Sequence, residues 1–141
     1  MTEPEITVDK SAEENGLANM VAELLRANIE SSAHKKAVFS RMKGSVGLFA
    51  TDAEVKVTLV FDRGRCVVHD GILEGTGVTV TADSDSILEL SNVRLVGGLP
   101  YYFDEAGRAV VSKVFGRAIR IRGLLLHPVT LTRLGIVLSV N

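Results

Sequence analysis

Residues 54–62 alternate in a way that leaves few folds open. Val55, Val57, Leu59 and Phe61 fall on one side of an extended chain, and Lys56 and Thr58 fall on the other. Asp62-Arg63-Gly64-Arg65 follows, and Gly64 supplies the positive φ that a tight reversal needs. The segment 65–70 then returns as the next strand. A hairpin with one apolar face is not stable alone in water, so other elements must cover that face.

The cover is legible on either side of the hairpin. Leu17, Met20, Val21, Leu24, Leu25 and Ile29 recur at three- and four-residue intervals, which predicts an amphipathic helix. Ser11-Ala12-Glu13-Glu14 has the spacing of a capping box, with Ser11 as N-cap and Glu14 at the third helical position. Ser31-Ser32 ends this helix, and a second, shorter one is expected over 33–43, with Gly44 as its stop. Residues 45–51 and 78–82 read as further strands. Asp83-Ser84-Asp85-Ser86 offers N-caps for a short helix carrying Ile87, Leu88 and Leu90. A helix is expected over 104–115 and a fifth strand over 117–122, where Ile119 and Ile121 face one way and Arg120 and Arg122 the other. Pro128 suits the first turn of a last helix that is apolar almost all round. The order implies one sheet covered by helices, as an α/β or α+β sandwich. Residues 1–10 carry Glu3, Glu5 and Asp9 and read as a flexible N-terminal tail, with the domain spanning 11–141.

Composition narrows the function. Hydrophobic residues make up 46% of the 141 residues, with five Phe, two Tyr and no Trp, so the apolar content is aliphatic. A domain this small has limited interior, and so many Leu, Val and Ile side chains suggest a dense aliphatic core, a cavity, a dimer interface or a lipid-facing surface. The formal net charge is −1, without the basic excess of a general polyanion binder, and no nucleic-acid motif is present. The single cysteine, Cys66, rules out an internal disulfide and suits a reducing compartment. His127, Pro128 and Arg133 interrupt the most apolar stretch, 123–140, so no spanning helix is expected there.

Three ordered motifs carry a family resemblance. The first is Val57-Thr58-Leu59-Val60-Phe61-Asp62-Arg63-Gly64-Arg65-Cys66-Val67-Val68. The second is Val78-Thr79-Val80-Thr81-Ala82-Asp83, followed by Ser86-Ile87-Leu88. The third is Gly116-Arg117-Ala118-Ile119-Arg120-Ile121-Arg122-Gly123, running into the Leu-rich end. Over roughly 17–138 the chain resembles the sterol carrier protein (non-specific lipid-transfer) domain family, in its bacterial free-standing type. It departs in a long connector, 91–113, which holds Tyr101-Tyr102-Phe103. The resemblance implies an α+β fold with a mixed, mostly antiparallel five-stranded sheet covered by helices, and an apolar tunnel between them. It implies a non-enzymatic carrier of a fatty acyl chain, a sterol-like or an isoprenoid lipid, cytoplasmic and without a cofactor. The alternative is an accessory protein that presents a lipid intermediate such as a quinone precursor to partner enzymes, or a dimerisation module.

The expected ligand-binding residues are Val57, Leu59, Phe61, Val80, Ile119, Ile121, Leu131 and Leu134, on apolar strand faces and the last helix. A register shift of one residue would invert the strand assignments. Arg120 and Arg122, with Lys113 and Arg117 nearby in sequence, form either a solvated sheet face or a phosphate-attracting patch, for an anionic headgroup at a membrane surface or the nucleotide end of an acyl-CoA. Other constellations carry less. Cys66 and His69 are three apart on a strand and point to opposite faces, which opposes a nucleophile–base pair. His34, His69 and His127 show no metal-ligand spacing. Gly75 and Gly77 lack the third glycine of a dinucleotide-binding loop.

Overall fold

The computed structural model describes residues 4–91, 95–96, 99–100, 108–110, 112, 119–123 and 128–138. Six strands form one sheet: β1 (Glu5–Val8), β2 (Lys43–Ala50), β3 (Val55–Asp62), β4 (Arg65–Asp70), β5 (Val78–Ala82) and β8 (Arg120–Arg122). Their order across the sheet is β1-β4-β3-β2-β5-β8. The β1–β4 and β2–β5 pairs are parallel and the other three antiparallel. A separate two-stranded ribbon joins β6 (Leu95–Val96) to β7 (Leu99–Pro100). The helices are α1 (Gly16–Ser31), α2 (Ala33–Phe39), α3 (Ser84–Ser91) and α4 (Pro128–Leu138). Residues 108–110 and 112 are also helical, with Val110 buried and Ala109 exposed.

The sheet has six strands where five were expected, because residues 5–8 of the expected tail form β1. Ile6 stands beside Cys66 and Val8 beside Val68, which extends the apolar face of β4 by one strand. The outer edge of β1 is capped from α1: Arg26 Nε and Nη2 donate to Ile6 O at 3.2 and 2.7 Å. A side chain thus takes a carbonyl that would otherwise offer itself to another chain.

The first helix begins later than the capping-box spacing suggested. Asp9 caps a single 3-10 turn, Lys10–Ala12, and Asn15 caps α1 by accepting from Ala18 N at 3.1 Å. Asn15 wins for a tertiary reason. Its Nδ2 also donates to Lys56 O at 3.1 Å and to Asp70 Oδ1 at 2.8 Å, tying the helix start to the β3–β4 pair. Ser11 instead donates to Asp9 and accepts from Asp70 N. The second helix stops at Phe39, and the chain enters β2 at Lys43.

Register separates the two faces of the sheet. Val46, Leu48 and Ala50 of β2 align with Val55, Val57 and Leu59 of β3 and with Val78, Val80 and Ala82 of β5. This face is buried and carries the core, together with Val21, Leu25 and Ile29 of α1 and Leu134, Val137 and Leu138 of α4. Phe39 of α2 meets Phe61 edge-on at 6.1 Å between ring centres. Helix α1 lies on β1, β3 and β4, while α4 packs on α1, α2 and α3. Buried Asn28 locks α1 to α4 by donating from Nδ2 to Val137 O at 3.0 Å. The opposite face has no helix on it among the described contacts.

Candidate functional site

The helix-covered sheet face gathers most of the predicted lining. Val57, Leu59 and Phe61 alternate along β3, and Val80 on β5 shares their face through β2. Ile121 pairs with Val80, so it joins the same face from the edge strand. Val57, Leu59 and Ile119 are fully enclosed, Val80, Phe61 and Leu134 nearly so. Ile121 is only half-buried and packs on the rim of the core. The side chain of Leu131 lies outside the described residues, as do Lys113, Arg117, His127 and Tyr101-Tyr102-Phe103. The expected register is therefore the one adopted, and no strand is inverted.

Little of the aliphatic content reaches the described surface. Met20, Ile72, Leu73 and Val129 are the large apolar side chains left exposed among the described residues. Two surface hollows of about 500 Å³ and about 490 Å³ are present. One lies between β1 and the α1–α2 corner, beside Ile6, Arg26, Ile29 and Lys36. The other lies at the start of α1, beside Glu14, Asn15, Glu54 and Asp70. Both mix charged and apolar walls, and none of the predicted lining residues whose side chains are described borders either.

Arg120 and Arg122 pair with Thr81 and Thr79, which puts them on the opposite sheet face from Ile121. Both are exposed. The structure thus separates the candidate headgroup contact from the candidate lining by the thickness of the sheet.

The remaining chemistry is sparse. Cys66 is buried on the inner face, and burial pushes its thiol up to about 12, far from a reactive thiolate. His69 is on the outer face, with Nδ1 3.7 Å from Asp9 Oδ2. The hydrogen bonds from Ser11 hold Asp9 below the usual carboxylate range. Among the described residues no three His, Cys, Asp or Glu side chains are grouped to hold a metal ion. No helix among them is long and apolar enough to cross a membrane.

Sequence reasoning missed the burial of four polar side chains among the described residues, including Ser86, which it read only as a helix-capping candidate. Thr58, wholly enclosed on the outer face, donates to Gly71 O at 2.7 Å and accepts from Leu73 N at 3.0 Å. Asn28 and Lys35 are also buried, and burial pulls the Lys35 ammonium below its ordinary pKa. Thr58 and Asn28 sit within periodic patterns as ordinary polar positions, and only the tertiary fold closes over them.

No family model matches the sequence, and no curated protein matches it. Solved structures do. A chain described as "UbiJ-SCP2 Ubiquinone synthesis protein" superposes with a TM-score of 0.63 at 13% identity, covering 86% of this chain and 92% of that one. A sterol carrier protein 2 crystal structure superposes with a TM-score of 0.52 at 15% identity, covering 84% and 91%. The likeness extends over most of both partners and lies in the arrangement of the backbone rather than in shared residues. Over most of its length this chain has the α+β fold of the sterol-carrier-protein-2-like proteins.

Proposed function

We propose that the chain binds one long apolar molecule, a fatty acyl, sterol-like or isoprenoid lipid, between the helical layer and the inner sheet face, and carries it through water. The observation that carries this reading is the continuous apolar face running from Phe61 through Leu59, Val57 and Val80 to Ile121, roofed by helices in a sterol-carrier-like fold. Leu134 would contribute from α4, and Ile119 and Leu131 complete the lining. Burial of a methylene is worth about 0.8 kcal/mol, so eight to ten of them contribute about 6–8 kcal/mol. Because the inner strand residues are sealed, ligand access must part the helices from the sheet. Ile121 marks the place where the apolar face still meets solvent.

The test is uptake of a pyrene-labelled fatty acid, paired with native mass spectrometry of the purified chain. The expected result is one bound lipid per chain and loss of uptake in Ile121→Glu, with circular dichroism confirming that the variant is folded. A folded wild-type chain that takes up no fatty acid and carries no co-purified lipid refutes the reading. The likeness to the ubiquinone-synthesis protein favours a second reading, an accessory protein that holds a lipid-like intermediate for partner enzymes. A stable dimer without bound lipid would support the interaction role over carriage.

A further inference from the structure

The sheet face without helices carries an excess of positive charge. Register sets Lys56, Phe49, Thr81 and Arg120 in one row across β3, β2, β5 and β8, and Thr58, Gly47, Thr79 and Arg122 in the next. At a strand spacing of about 4.8 Å, Lys56 and Arg120 stand about 14 Å apart. Lys56 Nζ lies 4.8 Å above the Phe49 ring. Of the acids on these strand faces, Glu5 lies 3.7 Å from Arg65, and Asp62 stands across from Lys43 at the far end of β3. Lys56, Arg120 and Arg122 are exposed, and none of them has an ion pair among the described residues.

Two aliphatic side chains stand on the same face. The segment 71–77 folds back over the sheet and is pinned there by the two hydrogen bonds of buried Thr58. Ile72 settles over Gly47, where a Cβ would lie 2.8 Å from Ile72 Cδ1. Ile72 and Leu73 remain 36% and 39% exposed. Glu74 is the acid that follows them, in the same segment.

We infer that this open face docks the protein on an anionic lipid bilayer. Lys56, Arg120 and Arg122 meet the headgroup phosphates, and Leu73, with the exposed edge of Ile72, reaches the acyl boundary beside them. A lipid surface fits better than a nucleic acid or an acidic protein for two reasons. Exposed aliphatics beside cations match an interface that is charged outside and greasy just beneath. The chain as a whole is at net charge −1, so it has no general attraction to a soluble polyanion. Docking on the outer face leaves the helical layer turned to water. The inference stands independently of ligand carriage, since a chain with no internal ligand can still dock.

Flotation of the full chain with vesicles tests this. Phosphatidylcholine vesicles containing phosphatidylglycerol should bind it, pure phosphatidylcholine should not, and added salt should weaken the binding. A basic residue at an anionic surface is worth about fivefold in affinity, so Arg120→Gln with Arg122→Gln should lose about 25-fold. Ile72→Ser with Leu73→Ser should also weaken binding. Lys36→Gln with Arg41→Gln, an equal charge change on the helical side, should leave it unchanged. Equal binding to neutral vesicles, indifference to the double arginine substitution, or equally tight binding of a soluble polyanion such as heparin would overturn the inference.

Discussion

Gly123 ends β8, and one added methyl group there should cost more than at any exposed turn. Its φ is +87°, in the left-handed region that side chains avoid. A Cβ built on it would fall well inside the contact distance of Gly77 O, and 3.1 Å from Gly77 C and 3.3 Å from Val78 Cα. These are backbone atoms at the start of β5, which is held on its other side by β2, so they have little room to retreat. Gly64 supplies the control, with φ +93° and no atom within 4 Å of its built Cβ. The left-handed conformation costs an L-residue about 1 kcal/mol or slightly more, and Gly64→Ala should lose that amount. Gly123→Ala adds an overpacking cost of about 2 kcal/mol, for a total of about 3 kcal/mol. That is a large share of the roughly 5–15 kcal/mol that holds a domain together. Urea denaturation of the two variants side by side measures the difference. If Gly123→Ala is no more destabilising than Gly64→Ala, the close approach of β8 to the start of β5 is wrong. The positions of Ile121, Arg120 and Arg122 would fall with it.

Two further predictions concern the core. Asn28→Ala should destabilise by about 2 kcal/mol in the same assay, because Val137 O is among the last helix carbonyls, which have no intrahelical partner. A loss under about 0.5 kcal/mol would show that water replaces Asn28 there, against the buried contact. Cys66 should resist iodoacetamide at pH 8 in the folded protein and react readily once unfolded, which mass spectrometry reads directly. Because its folded pKa is raised to about 12 from 9.0, the folded state holds its proton longer than the unfolded one. Stability should therefore be unaffected by this group below about pH 9 and fall as pH rises towards about 12. Fast alkylation without unfolding would refute the burial of Cys66.

The hydropathy pattern alone was enough for the β3–β4 hairpin, the 78–82 strand, the Pro128 helix start and the inner face on which Val57, Leu59, Phe61 and Val80 stand. A period of two leaves only one way to hide those side chains, and Gly64 marks where the chain must turn. Other features depended on residues far apart in sequence. Ile6 and Val8 alternate with Glu5 and Thr7, but four residues among carboxylates carry a weak signal, and only β4 gives them a partner to pair with. Asn15 took the cap from Ser11 because Lys56 and Asp70 arrive from another element. The separation of Arg120 and Arg122 from Ile121 was readable as alternation. Which of the two faces would receive the helices was decided by the packing of α1 and α4, since helices cover the face that removes the most apolar surface from water.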